Sequence, residues 1–324
     1  MDSRFPLGFY PTPLEKLKNL SKQYSDYQIY IKRDDQTGLA TGGNKTRKLE
    51  YLIQDAIIQN ADVVITAGAQ QSNHCRQTAA ACAKANIECH LLLGGFQPSN
   101  YNGNLLLSEL LGAKIHFTGD NRKGEDLIKI EEELKSMGKQ PYIIPYGGSN
   151  FIGSLGYVNA VKELNAQLVS QHINIDAVFF ASSSGGTQAG ITIGKLLYNM
   201  KFNLFPISID KEDLKNNKIQ NEIFKIVNEG IKKLNINKSV ALSDCELIKG
   251  FNDDGYGVFT EKEKEAIELL AKTEGILLDP VYTGRAFYGM LSLLKKEKLP
   301  KGSSVLFWHT GGIPANFNYA SELH

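Results

Sequence analysis

The chain has 324 residues, 42% of them apolar, and a formal net charge of +1 with its basic residues scattered singly. At about 150 residues per domain that length holds two domains or one large one. Near-neutral charge leaves no electrostatic footprint for nucleic acid or an acidic membrane, no apolar run approaches the ~20 residues that span a bilayer, and Met1 to Pro6 carries no apolar leader, so secretion is not expected.

In chain order, the first strong signal is Thr41-Gly42-Gly43-Asn44-Lys45-Thr46-Arg47-Lys48. Beyond it, Leu49, Leu52, Ile53, Ala56 and Ile57 recur at i, i+3 and i+4 and predict a helix with one apolar face. Asn44 is placed to cap it. Lys45 and Lys48, three residues apart, project from one side of its first turn. Val63 to Ile65 reads as a strand, His74 to Ala85 as a helix, and Ile87 to Leu93 as a strand. Asn104 to Leu111, Gly124 to Met137, Leu155 to Leu168 and Gly186 to Tyr198 read as further helices. Lys114 to Phe117, Tyr142 to Ile144, Ala177 to Phe180, Leu204 to Ile209 and Ser304 to Trp308 read as strands. Strands separated by helices of this length imply right-handed crossovers and parallel sheets, an α/β fold. The stretch Gly147-Gly148-Ser149-Asn150, with Gly153, is the expected crossing point between two parts of the molecule. Cys75, Cys82, Cys89 and Cys245 form no CxxC pair. They are expected to be small buried side chains of a reduced cytoplasmic protein, and no metal site is expected.

Three segments carry chemistry. Ser182-Ser183-Ser184-Gly185-Gly186-Thr187 follows an apolar strand and opens a helix. Glycines let backbone N–H groups converge on an anion, and the helix N-terminus adds partial positive charge. The loop lacks the Gly-Lys-Ser/Thr ending of a nucleotide-triphosphate loop and the GxGxxG of a dinucleotide site. A phosphate cradle and a sequestered lysine at position 45 together point to pyridoxal 5′-phosphate (PLP), held as a Schiff base. Gln70-Gln71-Ser72-Asn73-His74 lies at a strand's C-terminal end, where open parallel sheets bind ligands; the same residues serve equally as a helix cap. Gly255-Tyr256-Gly257, Asp279 to Gly284 with Tyr282, and Trp308 to Gly312 are candidate pocket walls, each tyrosine having half-buried packing as its plain alternative.

Read together, these segments resemble the fold type II PLP enzymes, in the branch of 1-aminocyclopropane-1-carboxylate (ACC) deaminase and D-cysteine desulfhydrase. The likeness runs from Tyr10-Pro11-Thr12-Pro13-Leu14 to Thr310-Gly311-Gly312. Its sharpest motifs are Gly42-Gly43-Asn44-Lys45, Ala67-Gly68-Ala69 with Gln71-Ser72-Asn73-His74, and Leu278 to Gly284. The resemblance implies two open twisted, mostly parallel sheets flanked by helices, with the cofactor in a cleft between a large domain (1–43 and 156–324) and a small one (44–155). It implies a homodimer, a small amino-acid substrate, and neither nucleic-acid nor membrane partners. Lys45 matches the lysine that carries the cofactor. Lys48 and Ser183, Ser184, Gly185, Gly186 and Thr187 match phosphate contacts. Asn73 matches the residue bonding the cofactor's 3′-oxygen, and Ser72 the serine near the substrate carboxylate, with Gln71 beside it. Tyr256 and Tyr282 match the two active-site tyrosines. ACC deaminases carry glutamate where this chain has Thr283 and leucine where it has Thr310; the threonines match D-cysteine desulfhydrase.

The implied reaction is β-elimination, from D-cysteine to pyruvate, hydrogen sulfide and ammonia. Lys45 must be neutral to act as a base, and burial together with a Lys48 cation is expected to lower its pKa. A threonine at 283 stabilises a protonated ring nitrogen less than a glutamate does, which suits a good β-leaving group better than an unactivated ring. L-cysteate sulfo-lyase and ACC deaminase are the sibling readings. A PLP-binding carrier or sensor is the non-enzymatic one, and a nicotinamide-dependent oxidoreductase is disfavoured by the missing glycine fingerprint.

Overall fold

The computed structural model describes residues 3–210, 217–252 and 255–324. Two sheets organise it. The smaller is built from β3 (Val63–Ala69), β4 (Glu88–Gly94), β5 (Lys114–Phe117) and β6 (Pro141–Ile143), in the order β5-β4-β3-β6 and wholly parallel. The larger has β1 (Leu14–Lys16), β2 (Gln28–Arg33), β7 (Ala177–Ser182), β8 (Asn203–Ser208) and β9 (Ser304–His309), in the order β1-β2-β9-β7-β8. Only β1 runs antiparallel. Val63, Val64, Ile65, Val178, Phe179 and Phe180 are all fully buried. Continuous apolar runs of this kind belong to strands covered on both faces.

Helices supply the cover, beginning with the short α1 (Lys18–Gln23) between β1 and β2. α2 (Lys45–Ile58) and α3 (Asn73–Ala85) pack on the smaller sheet, burying Leu49, Leu52, Ile53 and Ala56. Ile57, expected on that face, is 38% exposed and lies at its edge. α4 (Gly103–Leu110) lies beside α3, and α5 (Leu127–Ser136) closes the far face. α6 (Phe151–Gln171) and α7 (Gly186–Leu197) cover one face of the larger sheet, with α8 (Lys218–Lys233) behind them. α9 (Glu261–Glu274) and α10 (Thr283–Lys295) cover the other face. Among the described residues no helix is long and apolar enough to cross a membrane, and all four cysteines are buried and unpaired.

The strands and helices read from the sequence are present, most with ends moved by a few residues. α5 begins at Leu127 rather than Gly124, and α6 is longer than Leu155 to Leu168 at both ends. A Cβ on Gly156 would stand 2.2 Å from the Arg47 carbonyl. Close crossing of α6 over α2 explains a glycine inside a helix, where propensity alone disfavours it. A turn at Tyr146–Gly148 follows β6, and Asn150 caps α6 by accepting from Gly153 N–H at 2.8 Å. Strands β1 and β2 and helices α8, α9 and α10 were not read from the sequence.

A buried charge network ties the two halves. Asp34, fully buried, accepts from Arg47 Nε and Nη2 (both 2.8 Å), Tyr157 OH (2.7 Å), Trp308 Nε1 (2.8 Å) and Thr12 Oγ1 (2.9 Å). Arg47 also reaches Glu163 at 2.9 Å, and Lys32 bonds Glu163 at 2.5 Å. Burial alone would raise the Asp34 carboxyl, but the charge and hydrogen bonds of Arg47, with Lys32, hold it at about 2. Its stabilising effect is therefore complete above the ordinary value of 3.8 and fades as pH falls toward 2. Removing one partner of such a pair costs about 3–5 kcal/mol. Asp34→Ala is expected to lose that much in chemical denaturation at neutral pH; a variant as stable as the parent would refute the network's role.

Candidate functional site

The C-terminal ends of β3, β7 and β9 open onto one cavity between the sheets. Asn44, Lys45, Ser72, Asn73, His74, Tyr146, Gly147, Ser182 to Gly185, Thr187, Tyr282, Thr310 and Gly311 line it. Six sequence segments, more than two hundred residues apart at their extremes, thus meet. Gly42 bends the chain into Lys45 with φ +70, and a Cβ there would lie 2.0 Å from the Asp35 carbonyl, so only glycine serves. Asn44 N–H then bonds the Thr310 carbonyl at 2.9 Å, joining this turn to the end of β9. Asn44 occupies the cap position of α2, but its side chain does not cap. It donates from Nδ2 to Thr187 Oγ1 at 3.0 Å instead, fastening α2 to α7.

Lys45 extends into the cavity, and burial pulls its amine down from 10.5 to about 8. Lys48, fully buried, donates to the Gly147 carbonyl at 3.1 Å and is hydrogen-bonded to the Lys45 amine. Burial and then the neighbouring Lys45 push Lys48 far lower still. This reverses the sequence expectation. Lys48 does not depress Lys45; its hydrogen bond raises Lys45 rather than lowering it.

The serine-glycine loop closes one end. A Cβ on Gly186 would meet Ser149 Oγ at 2.7 Å and Lys48 Nζ at 2.8 Å, so the backbone here is held against both. Ser149 Oγ accepts from Gly186 N–H at 3.1 Å and donates to Ser184 Oγ at 2.8 Å. Hydroxyls, an amine and the N-terminus of a twelve-residue helix converge, the donor chemistry of a phosphate site. Ser149 is a member that the sequence offered only as part of a glycine-rich stretch.

At the other end Ser72 caps α3, its Oγ accepting from Cys75 N–H at 3.2 Å. The capping and ligand readings are compatible, because the hydroxyl hydrogen remains available. Thr66 Oγ1 donates its single hydrogen to the Ile144 carbonyl at 2.8 Å, so it must accept from His74 Nε2, also 2.8 Å away. That assigns the tautomer and leaves Nδ1 as a bare acceptor, buried and without a partner. Burial, with Lys45 and Lys48 nearby, holds this imidazole far below its ordinary value, so it stays neutral. His74 therefore joins the site. So does Tyr146, whose phenol is raised chiefly by burial; nothing in its local sequence marked it.

Tyr282 lines the cavity and its hydroxyl lies 2.5 Å from that of Tyr256, which stands behind it. The Arg122 guanidinium stacks 4.5 Å over the Tyr256 ring. Burial raises both phenols, Tyr256 only to about 12. Two expected members are elsewhere. Gln71 is held by the Asn102 carbonyl, Asn318 Oδ1 and Asn104 N–H, and does not line the cavity. Thr283 is fully buried, and its hydroxyl is committed to Asp279, donating to Oδ1 at 2.7 Å and accepting from its N–H at 2.7 Å. Thr310 does line the cavity. Among the described residues no carboxylate does.

The chain matches the family model described as pyridoxal-phosphate dependent enzyme over residues 6–311. It is 41% identical to a D-cysteine desulfhydrase of Yersinia enterocolitica, with 96% of this chain and 94% of that protein aligned. It is 39% identical to a Pyrococcus furiosus protein provisionally named 1-aminocyclopropane-1-carboxylate deaminase, across 99% and 96%. A crystal structure described as an ACC deaminase homologue superposes with TM-score 0.90 at 37% identity, covering 99% of this chain and 95% of that one.

The Lys45 amine is expected to react with a small aldehyde faster as pH rises and to level off near pH 8. Borohydride trapping with peptide mapping reads this residue by residue. Exposed lysines should keep accelerating toward 10.5, the ordinary lysine value; Lys45 behaving as they do would show that burial does not tune it.

Proposed function

The chain belongs to the pyridoxal-phosphate-dependent enzymes, in the family of ACC deaminase and D-cysteine desulfhydrase, and from that membership we propose that it is a lyase removing a β-substituent from a small amino acid, D-cysteine foremost. The residues present fit the cofactor. A cradle of hydroxyls and a helix N-terminus suits its phosphate, a buried amine suits its carbonyl, and the amides of Asn44 and Asn73 line the space between. In this reading Ser183, Ser184, Gly185, Gly186 and Thr187 hold the phosphate, with Lys48 and Ser149 behind them. A phosphate there would favour the charged form of Lys48 that burial disfavours.

When bound, pyridoxal phosphate supplies a carbonyl that joins an amine and a ring that withdraws electrons from the neighbouring Cα. The protein's share is position and proton control. Lys45 Nζ, near pH 8 and half neutral there, takes the Cα proton. Ser72 Oγ–H and Asn73 Nδ2–H receive the substrate carboxylate or a ring oxygen. Tyr282 OH, supported by Tyr256, faces the departing group.

One observation carries the choice of reaction: no carboxylate lines the cavity among the described residues. No side chain there is equipped to hold a second positive charge on the cofactor ring, so electron withdrawal stays modest. A sulfur leaving group departs readily under those conditions, whereas opening a cyclopropane needs the deeper sink. Thr283, turned to Asp279, does not supply one.

The test is release of 2-oxo acid across D-cysteine, L-cysteine, L-cysteate, β-chloro-D-alanine, D-serine and ACC. D-cysteine is expected to give the largest kcat/KM, with pyruvate as product. Faster formation of 2-oxobutyrate from ACC would overturn the choice. Lys45→Ala should lower turnover by about 10²–10⁴-fold or more.

A further inference from the structure

One buried cation is not used by the reaction described above. Arg76, in the first turn of α3, is among the largest fully buried side chains. Its Nη1 donates to Asn104 Oδ1 at 2.7 Å and to Asn73 Oδ1 at 3.2 Å, and its Nη2 donates to the Gly42 carbonyl at 2.7 Å. Its Nε has no partner. All three acceptors are neutral. Asp279 is the carboxylate whose field it feels, beyond ion-pair contact. Burial brings the guanidinium down only to about 9, so it remains a cation at neutral pH. Buried charges are normally paired, and this one sits a single hydrogen bond behind the cavity wall.

Asn73 is that wall. Its Oδ1 accepts from Arg76 Nη1 and from Asn104 Nδ2, the latter at 3.0 Å. Two donors on the protein side fix which way the amide is turned. Its Nδ2 lies at the opposite end of the group, and Asn73 lines the cavity. An amide whose oxygen accepts from a cation is polarised, and its N–H becomes a stronger donor. Arg76 also grips the Gly42 carbonyl, three residues before Lys45, so one side chain references both segments to each other.

We propose that Arg76 is a positioning residue for anion recognition: through Asn73 it aims a polarised amide N–H into the cavity at an anionic oxygen of the ligand. Two oxygens have this chemistry, the ionised ring oxygen of the cofactor and the carboxylate of the amino-acid substrate. The inference rests on the reading of Asn73 as a cavity donor given under the proposed function.

The test uses the cofactor-loaded protein without turnover. Arg76→Met removes the charge at similar length, and Arg76→Lys keeps it. If the ring oxygen is the target, Arg76→Met moves the pH midpoint of the bound cofactor's visible absorbance upward by about one unit, because the ionised oxygen loses its cation. If the carboxylate is the target, that midpoint stays and D-alanine binds roughly tenfold more weakly, with ethylamine unaffected. Partial recovery in Arg76→Lys accompanies either result. A folded Arg76→Met protein that changes neither overturns the proposal. Asn73→Asp guards against a variant that fails to fold. Its carboxylate pairs with Arg76, so the apoprotein's Tm is expected to rise while the same ligand binds at least as weakly as in Asn73→Ala. A lowered Tm, or retained ligand affinity, would count against the relay. An Asn73→Ala protein with unchanged binding of both ligands sinks the reading of Asn73 itself; weakening in Asn73→Ala but not in Arg76→Met sinks Arg76 alone.

Discussion

The buried pair of Asp34 and Arg47 is the constraint on which the site depends. Arg47 lies two residues past Lys45, in the first turn of α2. Asp34 follows β2 of the larger sheet and also receives Trp308 from β9 and Tyr157 from α6. One carboxylate therefore sets the first turn of α2 against both the larger sheet and the helix that crosses it. Burying two ions is costly unless the remaining lone pairs are filled. Asp34 meets that condition with five donor contacts. The arrangement resists small shifts, because any sliding of α2 would leave a buried charge short of partners. Position, more than stability, is what such a network supplies to Lys45.

Around that fixed lysine the cavity is electrostatically spare. Burial lowers both amines, the His74 imidazole stays uncharged, and the phenols stay protonated. These groups prefer opposite environments to those they occupy in water, so the free protein bears the cost. On the proposed reading an anionic ligand would offset much of it, favouring a charged Lys48 and giving the amide and hydroxyl donors something to bind. Local conflict of this sort marks a binding site in an otherwise consistent fold.

What the sequence made legible follows from distance along the chain. Lys45 and the Ser183 to Thr187 loop were readable because their chemistry is local: a glycine pair before a helix, and a strand feeding a helix through serines and glycines. The alternating strands and helices were readable from periodicity alone. Asp34 was not, because its partners stand up to 274 residues away. Thr283 was misjudged for a related reason: its own helix start offered its hydroxyl a nearer partner, Asp279. The amine pair was inverted because spacing shows that Lys45 and Lys48 meet, while which one keeps its proton depends on how deeply each is packed. Gly156 lies inside a helix that was read from the sequence, but the close approach of the Arg47 carbonyl that requires it was not visible there.

The tyrosine pair bears on the leaving group. The hydroxyls of Tyr256 and Tyr282 are 2.5 Å apart and share one hydrogen. Tyr256, with Arg122 over its ring, is the less strongly raised of the two. Either hydroxyl can donate in this bond. A phenol raised above its ordinary value gives up a proton reluctantly but remains a good hydrogen-bond donor. A thiol titrates near 8.5, so a departing hydrosulfide needs only such a donor and no proton transfer. A carbon leaving group would need the proton itself, from an acid that burial has made weaker. On the proposed reading, the same packing that keeps these phenols neutral suits breaking a carbon–sulfur bond better than a carbon–carbon one.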